Sequence, residues 1–208
     1  MNRRRTAVVA LAISVVGALS ACSATAHPGA AAVVGDQRIT VSALQAHVAA
    51  YRTAAAKDAG AQEAAGEAQK TLGLLVAAQL VDQALAAQGG TVTQGEVQQA
   101  EASYLQQAGS AQALRQAIVE NLALAPSDLD TYARFEVGRM KLLQHAGVDP
   151  TSTSADAAFQ KIIQKAGQDL GVTVNPRYGS WDAKTLSLGA PNQPWLKTTK
   201  AATTSPAS

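Results

Sequence analysis

Between Leu44 and Leu170 the apolar residues recur at intervals of three and four, in stretches separated by glycine, proline and capping residues, and this periodicity predicts six helices. The first runs on Leu44, Val48, Tyr51 and Ala55. The second, from Glu63 to Ala87, sets Leu72, Leu75, Val76 and Leu80 on one side and Leu74, Ala77, Ala78, Val81 and Leu85 on another. A helix apolar over most of its circumference must be surrounded by other helices. Gly89-Gly90 supplies the left-handed stop, and Thr93-x-x-Glu96 matches a capping box at the next start. The third helix carries Val97, Ala100, Tyr104, Leu105 and Ala108, and the fourth carries Leu114, Ala117, Ile118, Leu122 and Ala125. Pro126-Ser127 opens a fifth, with Asp128 and Asp130 in the first turn, where the helix dipole favours negative charge. Its stripe is Leu129, Tyr132, Ala133, Val137, Met140 and Leu143, and Gly147 with Asp149-Pro150 ends it. The sixth places Phe159, Ile162, Ile163, Ala166 and Leu170 on one clean face, which something must cover.

The two ends of this array read differently. Ala32-Val33-Val34 predicts a short strand, followed by a Gly35-Asp36 turn and a return through Gln37 to Thr40 into the first helix, with Thr40 or Ser42 as N-cap. Val172-Thr173-Val174 predicts the other strand. A lone strand cannot satisfy its backbone groups, so the two ends are expected to pair. The predicted fold is therefore mainly α: a bundle of about six helices over residues 32–182, closed by a short two-stranded pairing of the N- and C-terminal segments. Residues 183–208, rich in Pro, Thr, Ser and Ala with a single Trp195, are expected to form a disordered tail.

Ahead of the helical body lie Arg3, Arg4 and Arg5 and an apolar run from Ala7 to Leu19, the layout of a secretory signal. The run is shorter than the ~20 residues that cross a bilayer, which disfavours an uncleaved anchor. It ends in Leu19-Ser20-Ala21-Cys22, which resembles the bacterial lipobox. That resemblance implies cleavage after residue 21 and acylation of Cys22. It also implies a protein held at the extracytoplasmic face of a bacterial cell membrane, with residues 22–31 as a flexible tether. A plain secretory signal is the alternative, and the fact that the chain's one cysteine falls at the cleavage site argues against it.

Loss of the signal also changes the charge. The whole chain has 17 basic and 15 acidic residues; without Arg3, Arg4 and Arg5 the balance is 14 to 15, a net of −1. A near-neutral chain carries no electrostatic footprint for nucleic acid. A single cysteine also excludes an intramolecular disulfide, so stability is expected to rest on an alanine-rich core.

The stretch Ala32-Val33-Val34-Gly35-Asp36-Gln37-Arg38-Ile39-Thr40 resembles the opening of SurA-type and PrsA-type extracytoplasmic chaperones. The Thr93 capping box after Gly89-Gly90 and the closing Val174-Asn175-Pro176-Arg177-Tyr178-Gly179-x-Trp181 are similar to the corresponding parts of that family. The resemblance spans Ala31 to Asp182 and implies a peptide-binding module in which the terminal strands and a returning helix come together. Members with prolyl isomerase activity carry a parvulin domain, commonly before the returning helix, whereas here only Val148 to Ser154 lies between helices five and six. What the resemblance implies is holdase-like binding of unfolded or partly folded secreted polypeptides without isomerisation. The alternative is a structural or adaptor lipoprotein with one dedicated partner.

The remaining chemistry points away from an enzyme. No serine sits in a G-x-S-x-G turn, the histidines are scattered, and no phosphate-cradling loop follows Gly89-Gly90. Neither cofactor nor metal is expected. Asp128 and Asp130 read as helix-start charges, and His47 as a half-buried histidine sharing a hydrogen bond. Tyr104, Phe135 and Met140 are the candidate lining of an apolar peptide groove, methionine being adaptable to irregular partners; ordinary core packing is the competing reading for each.

Overall fold

A computed structural model of the chain describes residues 29–58 and 66–191. It is mainly helical, with a small antiparallel sheet at one end. Strand β1 (Ala30–Val34) turns at Gly35-Asp36 into β2 (Gln37–Thr40), and Gly35 takes a φ of 59°, a conformation glycine adopts without strain. Helix α1 (Val41–Asp58) starts at once, capped by the Thr40 hydroxyl, which accepts from the Ala43 N–H at 3.0 Å. It buries Leu44, Val48, Tyr51 and Ala55, the stripe expected from the spacing.

Helix α2 (Glu67–Ala86) is the axis of the body. Leu72, Val76, Leu80, Val81 and Leu85 are wholly buried on it, and it touches α1, the sheet and two later helices. Full burial of an aliphatic side chain is worth ~1.5–3 kcal/mol, so this one helix contributes a large share of the driving force. Helix α3 (Gln94–Ala108) begins with the expected capping box: Glu96 N–H donates to the Thr93 hydroxyl at 3.3 Å, and Thr93 N–H donates to the Glu96 carboxylate at 2.8 Å. Lys141 extends the box, donating to the same carboxylate at 2.7 Å and to the Thr91 carbonyl at 2.7 Å.

Helix α4 (Ala111–Ala117) does not continue to Ala125 as its spacing suggested. It widens into a π-helical stretch, Ile118–Leu122, that ends at Ala123 with a φ of 52°. A π-turn inserts a residue and rotates everything after it about the helix axis. Ile118 and Val119 therefore point inward and Leu122 outward, and Val119 and Ala125 join Tyr51 and Ala55 in a small second core. A 3₁₀ turn at Pro126–Asp128 then leads into α5 (Leu129–His145), and α6 (Ala155–Leu170) follows.

After α6 comes β3 (Val172–Val174), antiparallel to β1 with Val33 opposite Thr173. The ends of the domain pair as expected, but β2 also joins on the other side of β1. The predicted two-stranded pairing is thus a three-stranded sheet of order β2-β1-β3. The short, exposed Gln37-Arg38 segment hides β2 from a reading based on apolar residues. Ala30 and Ala31, assigned to the tether by sequence, are buried strand residues, because small side chains fit under α2. Residues 183–191 are likewise no tail. Strands β4 (Trp181–Asp182) and β5 (Ser187–Leu188) form a hairpin whose Leu186 and Leu188 pack against the core. The remainder of the expected tail, 192–208, lies outside the described residues, as do the signal, Cys22 and most of the tether.

Helix α5 lies close against α2 at Gly138, where an added Cβ would run into the Val81 side chain. Gly138→Ala should therefore lower stability by ~1–3 kcal/mol in chemical denaturation, and Val81→Ala added to it should recover part of the loss; an unchanged midpoint for Gly138→Ala would contradict this packing. The capping box predicts a pH effect. Hydrogen bonds from Lys141, then Thr93, hold the Glu96 carboxyl at about 2, below its ordinary 4.5. The stability it contributes is present above pH 4.5 and lost as pH falls towards 2. Wild type should lose stability over that window more steeply than Glu96→Gln, and parallel urea-midpoint profiles would refute the assignment.

Candidate functional site

The three residues proposed to line one groove are held in different settings. Tyr104 near the end of α3 packs on Tyr132 of α5, ring centroids 6.1 Å apart and planes tilted by 44°. Phe135, three residues after Tyr132 on α5, meets Phe159 of α6 edge-on at 5.9 Å, with the Arg139 guanidinium 5.4 Å from the same Phe159 ring. Both Tyr104 and Phe135 are partly buried against the main core, while Met140 is 40% exposed. Five residues separate Phe135 from Met140, which at ~100° per residue places them on well-separated faces of α5.

A half-buried carboxylate lies beside the tyrosine pair. Burial pushes the Glu136 carboxyl up, against the opposing pull of Arg139. Burial, then the Glu136 charge and the neighbouring Tyr132, push the Tyr104 phenol up to about 12. Arg139 also donates to Asp156 at 2.5 Å, tying α5 to the start of α6. This arrangement fastens helices to one another and keeps the Tyr104 phenol protonated near neutral pH.

Two apolar clefts open elsewhere. The larger, 470 Å³, lies between the C-terminal half of α2 and the outer side of α6. Ala84, Ala87, Ile162, Ala166 and Leu170 make its floor, with Lys161, Lys165 and Asp169 among the residues around it. Its origin is legible in α6: Phe159, Ile163 and Ala166 are buried, but the apolar face is too wide for α2 to cover, so Ile162 and Leu170 stay only half-buried. The second cleft, 340 Å³, lies among α3, α4 and the start of α5, with Leu105 at 41% exposure beside Leu114, Ile118 and Leu129. The α3 spacing grouped Leu105 with Val97, and only the course of α4 leaves it uncovered.

His47 and Asp128 do meet. His47 Nδ1 lies 2.6 Å from Asp128 Oδ1, with the Asp128 side chain 6% exposed. Asp128 stands at the start of α5, as expected of a helix-start charge, but its side chain makes no capping bond there and reaches His47 of α1. Asp130 accepts instead from Gln94 Nε2 at 3.0 Å, so the two aspartates have separate partners. Among the described residues no group of three or more His, Cys, Asp or Glu side chains is placed to hold a metal, and no helix is long and apolar enough to cross a membrane.

Removing a buried hydrogen-bond partner costs ~1–3 kcal/mol, so Asp128→Ala should destabilise the fold by that amount. A double-mutant cycle with His47→Ala should return a coupling of ~1 kcal/mol. Additive losses would show that the two side chains act independently.

No family model matches this chain, and neither does any curated protein or solved structure.

Proposed function

We propose that this chain is a lipid-anchored extracytoplasmic binder of unfolded or partly folded exported polypeptides, a holdase of the SurA N-domain type without isomerase activity. The observation that carries the reading is the cleft between α2 and α6. Its floor is aliphatic and alanine-rich, and the exposed side chains of Lys161 and Lys165 stand near it. Such a surface attracts apolar segments without directional demands, so many sequences satisfy it. The likeness in fold is supported by the β1–β3 pairing, which joins the two ends of the helical body. Ala146 to Ser154 between α5 and α6 is too short for a catalytic insert. On this reading Cys22 keeps the body near the membrane, where exported chains emerge, and no cofactor takes part.

The test is suppression of aggregation by the lipid-free domain, with several unrelated unfolded clients. Protection of more than one client is expected, and Ile162→Asp should weaken it ~10-fold or more while leaving the fold intact, because the side chain is half-exposed. Protection of none would overturn the proposal, and equal protection by Ile162→Asp would remove this cleft as the site.

A further inference from the structure

The β4–β5 hairpin lies on α2 under strain. Its strands share only two residue pairs, Trp181 with Leu188 and Asp182 with Ser187. A two-stranded hairpin of that size does not hold its shape alone, so its position rests on Trp181, Leu186 and Leu188, which pack against the main core. Two of these three are poorly accommodated. Leu186 is held at a φ of 51°, a left-handed conformation that a residue with a Cβ resists. The Trp181 indole Nε1 is buried and has no hydrogen-bond partner among the described residues, although a buried indole N–H normally has an acceptor.

Glycines mark the base of the hairpin. Gly179 has a φ of 114°, and a Cβ there would run into the Gly189 carbonyl oxygen, so the two ends cross backbone against backbone. The Gly189 N–H donates to the Ser180 carbonyl at 2.9 Å and closes this neck. A neck of a few small residues can absorb the backbone rotation of a hinge. Beneath the hairpin the packing is open. A cleft of 280 Å³ lies between Leu186, Ser187 and Leu188 on one side and Gly73 and Leu74 of α2 on the other, and a Cβ at Gly73 would meet no atom of another element within 4 Å.

The place of this cleft on α2 gives the hairpin a role. Gly73 and Ala84 are eleven residues apart, about three whole turns. The hairpin therefore lies over the same side of α2 whose C-terminal half floors the α2–α6 cleft. We infer that, on the holdase reading, the hairpin is a built-in stand-in for a client: a strap, hinged at Gly179 and Gly189, that covers the N-terminal part of the binding side of α2 and is displaced by a longer bound polypeptide. Leu186 and Leu188 set the pattern such a client matches, aliphatic side chains two residues apart. Displacement relieves the Leu186 backbone and lets water satisfy the Trp181 N–H, so exchanging the strap for a client costs less than opening a well-fitted hairpin.

Binding of reduced, carboxymethylated α-lactalbumin, which stays unfolded in buffer, tests this on the full chain held in lipid nanodiscs. With saturating probe the Gly189 amide should exchange about tenfold faster or more, while Thr173, paired with β1, keeps its protection. Leu186→Ala combined with Leu188→Ala loosens the strap and should bind the probe about threefold to tenfold more tightly than wild type, again with Thr173 protected. Should the variant lose that protection, exchange at Gly189 in wild type decides the matter alone. Probe binding with no change at Gly189, or equal or weaker binding by the folded double variant, would overturn the strap and leave the holdase reading standing. No binding by either protein would overturn both.

Discussion

The fold depends on one backbone exchange, the antiparallel pairing of β1 with β3, in which Val33 faces Thr173 across nearly the whole described sequence. Each strand is too short to persist alone, and β1 lies on α2 with Ala30, Ala31, Ala32 and Val34 buried. The pairing therefore places α1, which follows β1–β2, and α6, which precedes β3, against the same central helix. Side chains reinforce the junction: Gln83 of α2 donates to the Val34 carbonyl at 3.0 Å, and Asn175 donates to the Ala30 carbonyl at 3.2 Å. Closing a loop of this length costs about 4 kcal/mol in chain entropy, a sum that these few hydrogen bonds recover only together with the buried apolar area.

Around that closure the body divides into two cores of unequal size. The main one is built on α2, with α5, α6 and the sheet against it. The lesser one gathers Tyr51, Ala55, Val119 and Ala125, where α1 meets the π-helical stretch and the loop that follows it. The His47–Asp128 pair lies between α1 and the start of α5, linking the two regions by a polar contact rather than by apolar packing. Ion pairs tie α5 to two of its neighbours, with Lys141 on Glu96 of α3 and Arg139 on Asp156 of α6, so a few long side chains help to fix the register of these interfaces.

Helix positions were legible because 3.6-residue periodicity and capping chemistry are local, and the Thr93 box and the Leu44-Val48-Tyr51-Ala55 stripe illustrate both. End pairing was legible by elimination, since Val172-Thr173-Val174 had one conceivable partner. What escaped notice was set by tertiary context. Strand β2 is polar at Gln37 and Arg38 and owes its existence to β1 alongside it. The π-turn at Ile118 reassigns which residues face inward, a change of phase that no local pattern announces. The candidate groove residues divide for a related reason: Tyr104, Phe135 and Met140 are similar in chemistry, but Phe135 and Met140 stand on well-separated faces of α5. The uncovered part of α6 was foreseeable as an excess of apolar width, but which two residues it would leave half-buried depended on how α2 docks.

The late position of β3 has a consequence for the life of the chain during synthesis. Until Gly171 to Val174 have emerged, β1 has no partner on one side, and its small apolar residues and unpaired amides stay accessible to proteases and to other polypeptides. A copy that stops short of that point lacks the closure, however many of its helices have formed. Completeness of the polypeptide is thus registered in the sheet, and a prematurely ended molecule carries a visible defect that a full-length one conceals.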